Sequence, residues 1–448
     1  MSIYRACRTP AHRGPAAWSA ILPGQEPAQR LHEDVAADFA VIGAGFAGLS
    51  AALRLTQLAP KAKIVVVEAG RIAEGACARN SGFMIDLPHE IGGHGYDGDG
   101  PVKNRKQIAL NRQAIAFARS AVEAYNIERA YFDPVGKVNG AAGPKADGLN
   151  RSYAQSLSEL GESSEYLDSR SMKELTGSSY YISGLHTPGT VMIQPGGYIR
   201  GLARGLRGAG VRIYEHAPVV EVRGSGAGWT LSTATSRISA GKVIFANNGH
   251  LESFGFARRR LMHIFLYASM TAAMGDDVLN RLGGKPRWGI TPSDPMGTTM
   301  RRIDGAQGGN RIVTRSCFSF LPEMAAGEAG LRRAARIHRG KFDTRFPALA
   351  DVPMEFSWAG HLCLSRNGVA VMRELDRNLF SACVQNGLGS VRGTMTGMGA
   401  AELACGIESD ITRHFTAEAE PTRLPPPPLS TIGANIYLRW QEWRARNE

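Results

Sequence analysis

Apolar positions along the chain repeat in three ways, and each predicts a different element. Continuous apolar runs of strand length at 39–42, 64–67, 211–214 and 242–246 predict buried strands of an open sheet. Seven-residue recurrence of Ile108, Ile115 and Val122, widened by Leu110, Ala114, Phe117 and Ala121, predicts a helix over 107–126 with one buried face. Mixed patterns at 149–160, 171–175 and 197–208 predict further helices, and short runs at 180–192, 219–222 and 229–233 predict strands. From 261 to 320 the pattern alternates, which belongs to antiparallel strands, and the glycine-rich stretch 305–310 joins two of them as a hairpin. A basic helix over 330–346, strands at 354–364, 369–371 and 379–384, and glycine turns opening a last Ala/Gly-rich helix complete the body. Pro425 to Pro428 form an extended linker to a short amphipathic end carrying Trp440 and Trp443.

Everything is organised around the unit from Asp38 to Phe83. Its first strand meets Gly43, Gly45 and Gly48 at G-x-G-x-x-G spacing and a helix follows at once. Gly43 permits the tight turn, Gly45 leaves room for a pyrophosphate at the backbone, and Gly48 lets the helix pack on the strand. The free N–H groups at the start of that helix then hold the anion without a lysine. The second strand ends in Glu68, about twenty residues after Gly48, where a carboxylate accepts the ribose hydroxyls and repels a 2′-phosphate. Together these features predict a dinucleotide site.

Composition narrows the picture. A chain of 448 residues exceeds one ordinary core, and 43% hydrophobic with 21% charged residues is the balance of a soluble globular protein. No apolar run reaches bilayer-crossing length; the longest, 263–274, reads as a buried strand. The charge of +12, from 52 basic and 40 acidic residues, is spread in short runs without a nucleic-acid motif. It predicts a basic surface, open to peripheral attraction by an acidic membrane or an anionic electron carrier. Cys7, Cys77, Cys317, Cys363, Cys383 and Cys405 lack CxxC spacing, so no metal cluster is expected and a reducing, cytoplasmic location fits. The first 36 residues have no secretory pattern and read as an arm lying on the fold.

Three separated stretches together resemble the superfamily of D-amino-acid oxidase, glycine oxidase and sarcosine oxidase. They are GAGFAG with Glu68 and ARNSGF, the central QPGGYIRGLARGLRGAGVRIYEHAPVVEV, and NGLGSVRGTMTG. The branch it looks most like contains γ-glutamylputrescine oxidase, and the similarity spans most of 36–420. The resemblance implies an α/β (α+β overall) fold: a Rossmann-like FAD-binding domain of the glutathione-reductase type with an interleaved antiparallel-sheet substrate domain. The expected division is an N-terminal arm 1–36, an FAD-binding domain 37–103, 190–260 and 358–420, a substrate domain 104–189 and 261–357, and a tail 421–448. It further implies that Gly43, Gly45, Gly48 and Glu68 bind the ADP half of FAD, and that Arg79, Asn80 and Ser81 lie beside the pyrophosphate and flavin. Val219 would meet the adenine through its backbone, Asn247 to Gly249 would pass the dinucleotide, and Gly387, Gly389 and the turn to Thr394 would aim a helix N-terminus at the flavin's pyrimidine end.

The implied activity is oxidation of a C–N bond in a small amine or amino acid: hydride passes from the α-carbon to flavin N5, and the imine hydrolyses to a carbonyl compound. Oxygen or an electron carrier would take the electrons onward. Candidate walls are Tyr267, Trp288 and Trp358, and Arg301 or Arg302 is expected to clamp an anionic group, with its neighbour in solvent. His89, His263 and His361 are candidate proton carriers. Cys77 and Cys363 are considered for covalent flavin attachment, with buried inert thiols the expected outcome. The chain departs from the family pattern at Met300, His263 and 365–370, all near the expected substrate. An aromatic-ring hydroxylase would show a G-D-A-x-H-type loop where QNGLGSVRGT stands. A flavoprotein subunit serving a larger assembly is the alternative from another class.

Overall fold

The computed structural model describes residues 2–88 and 100–448 apart from Ala227, Pro295 and Pro427. Two large sheets and one small one carry the chain. The first sheet is built on parallel strands. Val35–Ile42 lies between Ile64–Val67 and Arg237–Phe245, with Arg212–Tyr214 beyond the former and Leu379–Cys383 beside the end of the latter. Strands covered on both faces must be apolar throughout, which is why Ile64–Val67 reads IVVV and is buried at every position.

The start of Arg237–Phe245 also turns outward into an antiparallel extension, Gly228–Ser232 and Glu221–Ser225. Ile3–Arg5 pairs with the outer strand of that extension, so the N-terminal arm is part of the sheet. Its second piece, the helix Ala17–Ala20, buries Trp18 completely.

The second sheet is antiparallel except where Trp288–Pro292 runs parallel to Lys137–Ala141. Its order from one edge is Met354–Ser365, Leu261–Thr271, Arg311–Phe320, Thr299–Ile303, Trp288–Pro292, Lys137–Ala141, Ser183–Thr187 and Glu165–Asp168. The hairpin expected at 305–310 joins Thr299–Ile303 to Arg311–Phe320. Met354–Ser365 crosses the boundary drawn at 358, because it pairs along its length with Leu261–Thr271 in this sheet. The small sheet, Phe83–Met84, Val191–Ile193 and Phe132–Asp133, ties the loop after Glu68 to the rest. The mixed α/β architecture matches the fold class expected from the sequence.

Helix boundaries differ from the pattern only at their ends. The helix expected over 107–126 runs Gly100–Ala124, and the basic helix runs Glu328–Arg345. The amphipathic end is a full helix, Leu429–Arg444. No described helix is long and apolar enough to cross a membrane.

Candidate active site

Where the first sheet's parallel strands end, a cavity of about 1080 Å³ opens and runs on to the face of the second sheet. Its first wall is the glycine turn. Gly43 has φ +111°, and a Cβ there would lie 2.7 Å from the Ala246 carbonyl oxygen. At Gly48 a Cβ would fall on the Gly43 carbonyl, so the helix Phe46–Leu58 sits directly against the strand. Gly45 is different. Its extended backbone suits any residue, and the nearest protein atom to its Cβ position is Cys77 Cβ at 3.7 Å. What a methyl group there would narrow is the cavity itself. The helix starts on Gly45 without a side-chain cap, which leaves its first N–H groups to a ligand.

Glu68 stands opposite. Its carboxylate accepts the N–H of Ala44 at 2.9 Å and of Gly70 at 3.1 Å, which fixes the acid on the cavity wall. Burial pushes this carboxyl above its ordinary range, and those N–H groups pull it back.

A second helix, Gly389–Ala404, begins on the same cavity and also lacks a side-chain cap. Its small residues bring it there: a Cβ at Gly393 would lie 3.1 Å from Phe46 Cβ, and one at Gly397 would fall on the Ala47 carbonyl. Gly387 and Gly389 line the cavity, and a Cβ at either would meet no protein atom within 4 Å. Thr394 is inside the helix, fully buried and bonded to Ser390 O at 2.9 Å, and is not part of the lining. Asn247 lines the cavity, but Gly249 turns away, its Cβ position 2.9 Å from His361 Cε1 and 3.0 Å from His263 Nδ1. Val219 lines it too, and among the described residues its backbone N–H and C=O have no protein partner. Two uncapped helix N-termini, a carboxylate fixed on the wall and an unpaired backbone edge at Val219 make a donor set that fits FAD.

The profile of the DAO family, FAD dependent oxidoreductases, matches residues 38–403. The chain belongs to this family. Among sequence relatives, a probable oxidoreductase OrdL of Haemophilus influenzae is 26% identical over 394 residues, covering 84% of each chain. A gamma-glutamylputrescine oxidoreductase of Escherichia coli is 23% identical over 426 residues, 92% of this chain and 94% of its own. Among solved structures, glycine oxidase from Geobacillus kaustophilus aligns with TM-score 0.69 at 18% identity, over 88% of this chain and 100% of its own.

In this FAD-dependent oxidoreductase the loop from Arg71 to Gly82 is held from behind by three donors. The Trp358 indole donates to Arg79 O at 3.0 Å and the Trp18 indole to Asn80 O at 2.8 Å. Arg301 donates to Gly82 O at 2.6 Å and also to Ile193 O. With those carbonyls facing the scaffold, the N–H groups of Asn80 and Ser81 have no protein acceptor among the described residues, and both residues line the cavity. Arg79 spends its own donors on the carbonyls of Glu74, Arg13, Gly14 and Ala359, and burial lowers its pKa to about 10.

Several sequence expectations therefore change role. Arg301 is buried behind the loop and outside the cavity lining, with its guanidinium 4.9 Å over the Trp18 ring, so it cannot clamp a substrate there. Trp358 is fully buried and likewise outside the lining. Arg302 is buried as well and donates to Gly283 O, so neither arginine is the solvated member of the pair that alternation predicted. Trp288 stacks on Phe346 at 6.2 Å away from the cavity. Tyr267 lines the cavity, but its hydroxyl donates to Ser319 Oγ at 3.2 Å and its ring packs with Phe265 and Leu331. His89 lies outside the described residues. His361 lines the cavity and is bonded at 3.1 Å to His263, whose other nitrogen meets Glu252 at 2.6 Å. Burial pushes the His361 imidazole well below its ordinary range. Cys77 lines the cavity, yet burial and then Glu68 push its thiol up to about 12, and Cys363 is buried.

The sequence reading missed the residues on the face of the second sheet. Leu266, Phe318 and Leu362 make an apolar patch there. Beside it a polar row crosses four strands: Arg315 opposite Thr299, and Thr291 opposite Asn139. At strand spacings of about 4.8 Å the row covers roughly 14 Å. Arg315 donates to Thr299 Oγ1 at 3.4 Å and its guanidinium is 5.5 Å over the Phe318 ring. Lys137, two residues before Asn139 and on the same face, donates to Asn139 Oδ1 and to Thr291 Oγ1 at 3.1 Å. Burial lowers Arg315 to about 10 and Lys137 to about 8. Neither meets an acid within ion-pair distance among the described residues; Asp86, which acts on Lys137 from farther off, is bound by Arg112 at 3.0 Å. Glu68 is the one acid among the described residues of the lining, against Arg8, Arg79, Lys137 and Arg315.

Proposed function

We propose that the protein oxidises a C–N bond in a small amine or amino acid, and that it prefers amines carrying an anionic group. The observation behind this reading is the continuous cavity, with dinucleotide-binding backbone at one end and an apolar patch flanked by two acid-free cations at the other. FAD supplies the two-electron acceptor for hydride. The chain's residues do the rest. An amine placed against Leu266, Phe318 and Leu362 loses water, and Arg315 and Lys137 repel its ammonium form. Both effects favour the neutral amine, which is the form that can release hydride from its α-carbon. The same two cations bind a carboxylate or sulfonate on the substrate and fix its position. No protein base is required beyond a group that takes the amine proton into solvent.

The family match and the E. coli relative support the reaction class. The test is anaerobic mixing of the FAD-loaded protein with a panel of amines, amino acids and aminosulfonates, following the flavin band near roughly 450 nm. Bleaching by anionic amines, and slower bleaching by the matching amides, is the expected result. Bleaching by alcohols or hydroxy acids and by no amine would overturn it. The rate of recolouring in air then separates an oxidase from an enzyme that hands electrons to a carrier.

A further inference from the structure

The C-terminal helix Leu429–Arg444 has two apolar faces, and the fold uses one. On the used face Ala434 and Leu438 pack on Ile264, Phe318 and Phe320. Asn435 accepts the Phe320 N–H at 3.0 Å and donates to Phe320 O at 2.9 Å, while Arg439 donates to Phe318 O at 2.9 Å. These bonds fix the helix along the bulged strand Arg311–Phe320, so the direction of the other face is set. That face carries Ile432, Ile436, Trp440 and Trp443, at 56%, 65%, 47% and 59% exposure, in positions that line up along a helix, with Tyr437 at 56% beside them. Five of the thirteen exposed large hydrophobic residues among those described fall on this one helix. Scattered exposed residues need no explanation; a continuous aromatic and aliphatic stripe does.

Charge indicates what covers it. The helix has a single acid, Glu442, and it points inward, accepting from Phe318 N at 2.7 Å and pairing with Arg333 and Arg439. The rim of the stripe is basic. Arg444 lies 4.8 Å over the Trp440 ring and Arg446 lies 4.6 Å over Trp443. The neighbouring helix Glu328–Arg345, joined through Arg333 and through Lys341 to the carbonyls of Arg446 and Glu448, adds exposed Arg332 and Arg336. Neither has an acid within ion-pair distance among the described residues. A second copy docked on this face through a two-fold axis would bring the two arginine rims together, which is unfavourable.

We propose that this helix seats the protein on a bilayer surface bearing anionic lipid headgroups. Ile432, Ile436, Trp440 and Trp443 enter the boundary between headgroups and acyl chains, and Arg332, Arg336, Arg444 and Arg446 meet the phosphates. The protein lies on the membrane without crossing it, in keeping with the absence of a spanning helix among the described residues. A net charge of +12 adds long-range attraction to such a surface.

The experiment is flotation of the FAD-loaded full chain with vesicles of phosphatidylcholine alone or mixed with phosphatidylglycerol, with tryptophan emission as a second readout. The expected result is binding to the mixed vesicles at least about tenfold tighter than to phosphatidylcholine, weakened by salt, with a blue shift in emission. Trp440→Ser with Trp443→Ser, and separately Arg332→Glu with Arg336→Glu, should each lower binding about tenfold or more while the protein keeps its flavin and melting temperature. Wild-type binding no tighter to mixed vesicles than to phosphatidylcholine overturns the proposal. So does a dimer in solution that the double tryptophan variant dissociates, since a second copy then covers the stripe.

Discussion

Replacing Gly45 with alanine separates cofactor binding from folding more sharply than any other change to the glycine turn. The backbone at Gly45 is extended, with φ −89° and ψ −166°, and the nearest protein atom to a new Cβ is 3.7 Å away. Alanine is a poorer helix cap than glycine by up to about 1 kcal/mol, and the stiffer unfolded chain returns about 0.4–1 kcal/mol, so the apoprotein should keep its stability within about 1 kcal/mol. The methyl group instead projects toward the cavity, where it holds a pyrophosphate off the N–H groups of Phe46 and Ala47. Losing one charge-assisted hydrogen bond costs about 1.5–3 kcal/mol, which raises the FAD Kd by a factor of roughly 10 to 150. The consequence is visible in thermal unfolding. At a concentration of FAD equal to about 100 Kd the wild type gains about 2.7 kcal/mol from the ligand; a variant binding a hundredfold more weakly gains about 0.4 kcal/mol. Gly48→Ala should behave in the opposite way, lowering the melting temperature of the apoprotein itself, because its Cβ falls on the Gly43 carbonyl and the overpacking costs about 1–3 kcal/mol. Calorimetry of both variants with and without FAD, plus a flavin fluorescence titration, gives all the quantities. If Gly45→Ala binds FAD with the wild-type Kd, the turn does not approach the pyrophosphate and the assignment of this wall is wrong.

Arg301→Met should lower the stability of the apoprotein by about 2 kcal/mol or more in urea titrations, because the carbonyls of Gly82 and Ile193 lose a buried donor; a stable variant with only a raised KM would instead mark Arg301 as a substrate clamp. Arg315→Met should raise KM for carboxylate-bearing amines about tenfold or more and leave neutral amines nearly unchanged, and steady-state kinetics on matched acid and amide substrates decides it. Burial lowers His338, bonded to Ser269 Oγ at 2.9 Å, from 6.5 to about 3. The unfolded chain therefore takes up that proton first, so stability is full above pH 6.5 and falls as the pH drops toward about 3. His338→Gln should flatten that part of the unfolding profile; an unchanged slope would show that His338 is charged in the fold.

The cofactor half of the site was legible because its requirements are local. A tight turn, a close approach and an acid at the next strand end leave their mark within Asp38 to Phe83. Gly43, Gly45 and Glu68 stand where their spacing put them relative to the cavity. The substrate half is assembled across strands. Arg315, Thr299, Thr291 and Asn139 come from four strands and become neighbours only through pairing register, which no local pattern encodes. Alternation was also a poor guide at Arg301 and Arg302, since the strand Thr299–Ile303 is buried at all five positions and neither side reaches solvent. The signal available for Lys137 and Arg315 was a basic residue within a strand pattern, and Arg311 shares it. The two arginines share a sheet face, and only position along the strand distinguishes them: Arg315 reaches the cavity, while Arg311, four residues earlier, bonds Thr271 O and Glu355.

Residues that looked like substrate walls turned out to support the loop, and this has a consequence for how the molecule holds together. Trp18 comes from the N-terminal arm, while Arg301 and Trp358 come from two strands of the second sheet; all three donate to carbonyls of one loop on the first, those of Arg79, Asn80 and Gly82. A carbonyl turned toward the scaffold leaves the adjoining N–H groups facing the cavity, so the three donors orient the peptide planes that meet the ligand. Removing either indole leaves a buried carbonyl without its donor, at a cost of about 1–3 kcal/mol, and removing Arg301 leaves Gly82 O with the Ile193 N–H alone, so each loss loosens those planes. The order of the cofactor site is therefore a property of the arm and both sheets together. That coupling explains why large, chemically capable side chains are buried outside the cavity lining.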